Sequence, residues 1–212
     1  MERELKITGE GKLSLMPDIA VINLPVVGEA SGYEQSVNLL NKEVSLVHEI
    51  LKKNGIEKSK LKTTDFRVYE NWKPADKKNE RIFLGFKATH DLQLELPLDN
   101  RLINAVLSDL TQKDAGISFS IRFDVSKKES YKKQLLQNAV ADAMESAQTI
   151  ADAAGIKLKE IVNINFSFSE IVFHNKNVLY ESELNYTRAT MPEFSPDEID
   201  AKKNITIVWR IE

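Results

Sequence analysis

Apolar and polar residues alternate with a period of two in several parts of the chain, most clearly in residues 86–96. There Phe86, Ala88 and His90 begin one face, while Lys87 and Thr89 begin the opposite, polar face. Such alternation is typical of a strand with one face in water, as in antiparallel sheets. The same pattern, or a run rich in Val and Ile, predicts further strands at 5–15, 19–27, 61–72, 117–124, 162–169 and 205–211.

Between these strands, three segments have the period of amphipathic helices, at 31–54, 99–110 and 126–154. Ser31 and Ser126 each begin an S-x-x-E segment, the spacing of a capping box, so both are predicted N-caps. Gly55 and Gly155 are predicted to end the first and the last helix. Together these elements predict a two-layer α+β fold, with a mixed, mainly antiparallel sheet and helices packed on it.

Two parts of the chain match each other at a constant offset of 100 residues. Leu40 corresponds to Val140, and the Gly-Ile pair at 55–56 corresponds to the Gly-Ile pair at 155–156. No gap is needed between residues 39 and 68. We interpret the match as an internal β-α-β pseudo-repeat, with halves at about 19–72 and 117–173, inside a single domain that spans residues 1–212.

The segment 174–204 has no clear period and is longer than an ordinary loop. It carries four large side chains, those of Tyr180, Tyr186, Met191 and Phe194. Such side chains gain from folding back on the domain or from packing against another subunit. We therefore take these four residues as candidate contacts with a partner.

Composition and charge exclude several classes of function. The net charge is −3 and the cationic residues are spread along the chain, so no nucleic-acid partner is expected. The chain has no Cys, which excludes disulfides, thiolate catalysis and Cys-built metal sites. No uncharged apolar run approaches the roughly 18 residues of a membrane helix, so no integral membrane segment is expected. The first residues contain no apolar signal segment, which predicts a cytoplasmic protein. A periplasmic or envelope protein is the alternative if the N-terminus is processed or trimmed.

Gly9 and Gly11 form a Gly-x-Gly pair that invites comparison with a phosphate-binding loop. A strand precedes the pair and a strand follows it, whereas a phosphate loop must open a helix. We interpret the two glycines as relief of backbone crowding at a sheet edge or bulge. The three histidines, His48, His90 and His174, lack the spacing of a metal site, and no cofactor is expected.

Asp65, His90 and Asp124 lie on different predicted strands and are the candidates for a chemical site. Two carboxylates could serve in acid–base chemistry if the fold brought them together. Strand positions in water favour solvated charges for Asp65 and Asp124. His90 is most simply a core residue with a satisfied hydrogen bond. If the three did converge, the protein would be a small-ligand binder or a cryptic hydrolase with a cleft between the pseudo-repeats.

The ordered set of segments resembles the SIMPL-domain family over nearly the whole chain. The corresponding landmarks are the glycine turn and Pro-Asp pair of 9–18, the strand of 62–69, Gly-Phe-Lys-Ala at 85–88, Ala-Ala-Gly at 153–155 and Ser-Pro at 195–196. The resemblance implies an α+β fold, export to the bacterial envelope, oligomeric assembly, and association with stress or surface antigenicity. It supplies no catalytic residues, and this sequence departs from the family in lacking the usual signal peptide.

These observations favour a non-enzymatic assembly or interaction protein that forms a homo-oligomer, with a role in the envelope or in stress. The hypothesis depends on three things: the lack of a catalytic motif, the resemblance, and the aromatic residues of 174–204. The sequence does not decide whether the protein is an enzyme, and the lack of a catalytic motif argues against enzymatic activity.

Overall fold

A computed structural model of the protein describes residues 3–74, 81–112, 117–166, 173–174, 180–181 and 193–212. The elements follow in chain order: β1 (Glu4–Leu15), β2 (Ile19–Ala30), α1 (Tyr33–Lys53), β3 (Leu61–Pro74), β4 (Arg81–Pro97), α2 (Asn100–Gln112), β5 (Ser120–Asp124), α3 (Lys128–Ala154), β6 (Leu158–Phe166), β7 (Phe173–His174), β8 (Tyr180–Glu181) and β9 (Ile199–Ile211). All the strand pairings among these residues are antiparallel, and the predicted α+β class is confirmed.

The chain divides into two compact units. Unit 1 comprises residues 1–17, 125–176 and 196–212, and unit 2 comprises residues 18–124 and 177–195. The first predicted half, 19–72, lies wholly in unit 2. The second, 117–173, is divided between the units, because β5 pairs with β2 while α3 and β6 belong to unit 1.

Unit 2 is built on a sheet with the strand order β3-β4-β2-β5-β8. Alternate residues of β2 and β4, such as Leu24 and Leu92, point to one face and are buried, as their period of two predicts. The apolar stripes of α1 and α2 contribute to the same core, with Leu40 and Ile103 among its fully buried side chains.

Unit 1 has the strand order β1-β9-β6, and β7 also pairs with β9. The helix α3 packs mainly on β1 and β9. Its small residues Ala139, Ala143 and Ala147 form a buried cluster with a row of apolar side chains on β9 that includes Ile207 and Trp209.

The two units share one connectivity. In unit 2 the chain runs from β2 through α1 and the edge strand β3 to the central strand β4; in unit 1 it runs from β1 through α3 and the edge strand β6 to the central strand β9. Both helices end as predicted at glycines with positive φ, +70° at Gly55 and +66° at Gly155. Ile56 N–H donates to Leu51 O at 2.9 Å, and at the equivalent position Ile156 N–H donates to Ala151 O at 3.0 Å. The match therefore marks equivalent helix ends and edge strands.

The glycine pair lies on β1, an edge strand of the unit 1 sheet, and relieves backbone crowding there as predicted, although the strand has no bulge. β1 pairs with β9 in unbroken register through Gly9 and Gly11. A Cβ added at Gly9 would lie 2.2 Å from Ala139 O, and one at Gly11 would lie 2.0 Å from Leu135 O. The glycines thus allow the backbone of α3 to lie directly on the strand, a contact that no side chain would permit.

Two local predictions are wrong. The N-caps are Gly32 for α1 and Lys127 for α3, and neither helix has a side-chain cap hydrogen bond. Both helices start later than the predicted caps require; Ser31 Oγ instead donates to Gln35 Oε1 at 3.3 Å. In addition, β9 begins at Ile199, so the irregular segment ends earlier than residue 204. The alternation of this strand is interrupted in the sequence by three consecutive polar residues, Lys202, Lys203 and Asn204.

Candidate interaction surface

The two edges of the unit 1 sheet differ in how they are covered. On β1, Glu10 N–H donates to the carboxylate of Asp142 at 2.7 Å, and the amide of Asn138 donates to Lys12 O at 3.4 Å. Polar side chains of α3 thus hydrogen-bond to two backbone groups of β1 that a further strand would otherwise bind. Among the described residues, β6 pairs with β9 alone.

The β6 edge, which we define as residues 161–166, is apolar and exposed. The exposed fractions are 44% for Ile161, 45% for Val162, 49% for Ile164 and 37% for Phe166. The register pairs Ile164 with Ile207, which is buried, so Ile164 lies on the face that carries α3. Because α3 packs mainly on β1 and β9, this part of the apolar face is left in solvent.

Unit 2 has an equivalent edge on β3, where Phe66 is 50% exposed. This strand carries more charge than the β6 edge, with Lys62, Asp65 and Arg67 among its residues. Beyond the end of β2 the strands β3 and β4 continue as a hairpin, and Trp72 packs on Phe83 there with ring centroids 4.9 Å apart. Both rings stay more than 40% exposed.

The candidates for a chemical site are not brought together. Asp65 lies beside Asp91 in the register of β3 and β4, and Arg67 forms ion pairs with both carboxylates, at 2.6 and 3.5 Å. Asp124 is buried on β5, level with Ile19 of β2, whereas Asp91 is level with Pro25. The offset of six positions between these levels places Asp65 and Asp124 about 20 Å apart along the strands.

His90 is half-buried, and its ring contacts exposed side chains of the edge strand β3. Its Nε2 lies 2.8 Å from Thr63 Oγ1, and its ring meets that of Phe66 edge-on at 5.5 Å. It pairs with Phe66 in the register, whereas Asp65 pairs with Asp91. Since neighbouring residues of a strand point to opposite faces, His90 and Asp65 lie on different faces of the sheet. Among the described residues, no group of three His, Asp or Glu side chains could hold a metal ion.

The four candidate partner contacts have different positions. Phe194 is only 6% exposed, and its ring packs on Phe123 at 5.5 Å in the core of unit 2. The side chain of Asn100 binds the backbone of Phe194 on both sides, at 3.1 and 3.2 Å. Tyr180 belongs to β8, and Tyr186 and Met191 lie outside the described residues.

The β6 edge was missed by the sequence reasoning. The charge-free run Ile-Val-Asn-Ile-Asn-Phe at 161–166 was a usable signal, because edge strands in solvent ordinarily carry charge. It could not be used, since strand order is not visible in the sequence.

Residues 5–209 match the profile of SIMPL, described as a protein of unknown function (DUF541). The chain belongs to the SIMPL family. This SIMPL chain is 26% identical over 165 residues to the 26 kDa periplasmic immunogenic proteins of Brucella melitensis and Brucella abortus, a match that covers 76% of this chain and 65% of each relative. It is 20% identical over 162 residues to the protein YggE of Edwardsiella ictaluri, with 76% and 67% covered. The match therefore spans about two thirds of the length of these relatives. None of the described helices is long and apolar enough to cross a membrane.

The stability of this SIMPL chain is expected to fall as the pH drops below about 6.5, the ordinary pKa of histidine. Burial lowers the pKa of His90 and that of His48, and Lys58 adds to the effect at His48. The unfolded chain therefore binds protons that the folded chain resists, so the free energy of unfolding decreases from about pH 6.5 down through the folded pKa values. Denaturant unfolding between about pH 5 and 7 measures the slope.

A double variant with His48→Gln and His90→Gln is the control for this prediction. Its carboxylates titrate as in the parent, so the difference in slope isolates the two imidazoles. Equal slopes for parent and variant would contradict the assignment.

Proposed function

We propose that this chain is a non-enzymatic protein that assembles with copies of itself. The observation that carries the proposal is the exposed edge strand β6, which carries no charge at residues 161–166 and pairs only with β9 among the described residues. An apolar edge that is neither covered nor charged invites another strand to add to the sheet. Adding a strand would also bury apolar side chains that otherwise stay in water, which favours association.

We propose further that this assembly acts in the bacterial cell envelope. The support is the name of the Brucella relatives, both called periplasmic immunogenic proteins. A role in stress belongs to the same proposal and is supported by the family resemblance alone. Tyr180, Tyr186 and Met191 stay proposed contacts within the assembly.

Light scattering coupled to size exclusion tests the proposal over about 1 to 100 µM, a range suited to micromolar affinity. We expect a mass that rises above the 24.1 kDa of one chain as the concentration increases. A mass of 24.1 kDa throughout would overturn the proposal.

The same measurement on a variant with Tyr186→Ser and Met191→Ser tests the proposed loop contacts. Weaker association is expected, because the two changes remove apolar surface from the interface. Unchanged association would remove these residues from the proposal and leave the edge strand β6 as its support.

A further inference from the structure

The β6 edge has a self-complementary sequence. Val-Asn-Ile-Asn-Phe at 162–166 alternates apolar and amide side chains, and this order is the same in both directions from Ile164. If two copies of this strand ran antiparallel with Ile164 opposite Ile164, Asn163 would face Asn165 of the other copy. Val162 would face Phe166 in the same way. A two-fold interface needs this property, because each contact is made twice with the partners exchanged.

The faces of the strand agree with such a pairing. Ile164 and Phe166 pair with buried residues of β9 on the face that carries α3, while Asn163 and Asn165 pair with Val208 and Thr206 on the other face. Self-pairing would place apolar side chains beside apolar ones on one face. On the other face it would place amides beside amides, which can hydrogen-bond to each other.

Charge distinguishes this edge from the others. Residues 161–166 include no charged side chain, so two copies meet without repulsion between like charges. β3 carries Lys62, Asp65 and Arg67, and charged side chains of this kind protect an edge from pairing. The free side of β1 is occupied by Asn138 and Asp142.

We propose that two copies of the chain pair through their β6 edges, antiparallel about a two-fold axis at Ile164. The pairing joins two four-stranded unit 1 sheets into one continuous sheet. The partner is a second copy because the edge matches itself in charge, in polarity and in side-chain order. The inference rests on the proposed self-association and specifies the surface that performs it.

Single cysteines provide a direct test, because the chain has none of its own. Under mild oxidation Ile164→Cys is expected to convert most of the protein to a disulfide-linked dimer, since directly opposed residues have Cα atoms within disulfide reach. Asn163→Cys alone is expected to cross-link poorly, because position 163 faces position 165. A mixture of Asn163→Cys and Asn165→Cys is expected to cross-link efficiently. Lys62→Cys on β3 is the control and is expected to remain uncross-linked.

A charge substitution at the axis gives an independent measurement. Ile164→Lys would set two cations against each other, and we expect the dissociation constant to rise at least about tenfold. Ile164 is 49% exposed, so the folded chain should tolerate the change. Phe66→Lys is the matched control, 50% exposed on the equivalent strand β3, and it is expected to leave the mass unchanged.

The outcomes separate this inference from the proposed function. A chain that associates but neither cross-links through position 164 nor responds to Ile164→Lys would overturn the β6 pairing and leave self-association standing. Dissociation by Phe66→Lys, with no effect of Ile164→Lys, would assign the interface to β3. A chain that is monomeric throughout would overturn both.

Discussion

Gly28→Ala is expected to lower the free energy of unfolding by about 3 kcal/mol, at the upper end of the usual cost of overpacking. A Cβ at this position would lie 2.2 Å from Ser36 O and 2.6 Å from Leu40 N. Both are backbone atoms of α1, so no side-chain rotation can relieve the clash. The helix must move away from β2, and the core between them must open. Denaturant unfolding followed by circular dichroism measures the loss.

Two other glycines of unit 2 are controls for this effect. Gly55→Ala meets no atom within 4 Å, and its cost of about 1 kcal/mol should come from the positive φ alone. Gly32→Ala approaches nothing closer than 3.5 Å and should cost no more than about 1 kcal/mol, the range for alanine at an N-cap. If Gly28→Ala proved as mild as these two, close packing would not explain the glycine.

Phe194→Ala is expected to destabilise the protein by about 3 kcal/mol or more, as is usual when a buried phenylalanine is truncated. The ring is 6% exposed and packs on Phe123, so its removal leaves a cavity in the core of unit 2. Association should stay unchanged under conditions in which the variant is folded. Denaturant unfolding and light scattering on the same sample separate the two effects.

Phe83→Ala is the matched control, because Phe83 is 43% exposed on the hairpin of β3 and β4. Its expected cost is below about 1 kcal/mol, in line with substitutions away from the core. Weaker association of Phe194→Ala at full stability would restore Phe194 as a partner contact and contradict its placement in the core.

The features that the sequence predicted are those that depend on interactions between residues close together in the chain. The alternation of residues 86–96 identified the strand β4, and the glycines at 55 and 155 identified the helix ends. The N-caps failed although they are also local, because the helices begin later than the predicted caps. The start of β9 was missed because Lys203 follows the buried residues Ile199 and Ala201 in the period of two and so interrupts the apolar face in the sequence.

The candidate site shows a different limit. His90 has the predicted hydrogen bond, to Thr63, but it is half-buried and not part of the core, because the side chains that face it on the edge strand β3 are exposed. Whether Asp124 lies near Asp65 could not be read from the chain, since the answer depends on strand order and register. Phe194 belongs to a segment without a period, so nothing in the sequence indicated that it packs on Phe123.

The sequence by itself determined most of the helices and strands, the fold class, the helix ends at offset 100 and the family. These depend on local hydrogen bonds, on the side-chain period and on the order of motifs. Only the tertiary structure decided that β1 rather than β5 belongs with α3 and that Gly9 and Gly11 receive the backbone of that helix. It also decided that, in the part of the chain that the structure describes, β6 pairs with β9 alone. The physical reason is that strand pairing and close packing join residues more than a hundred positions apart. Their free energy depends on which surfaces meet, and that is settled only when the chain folds.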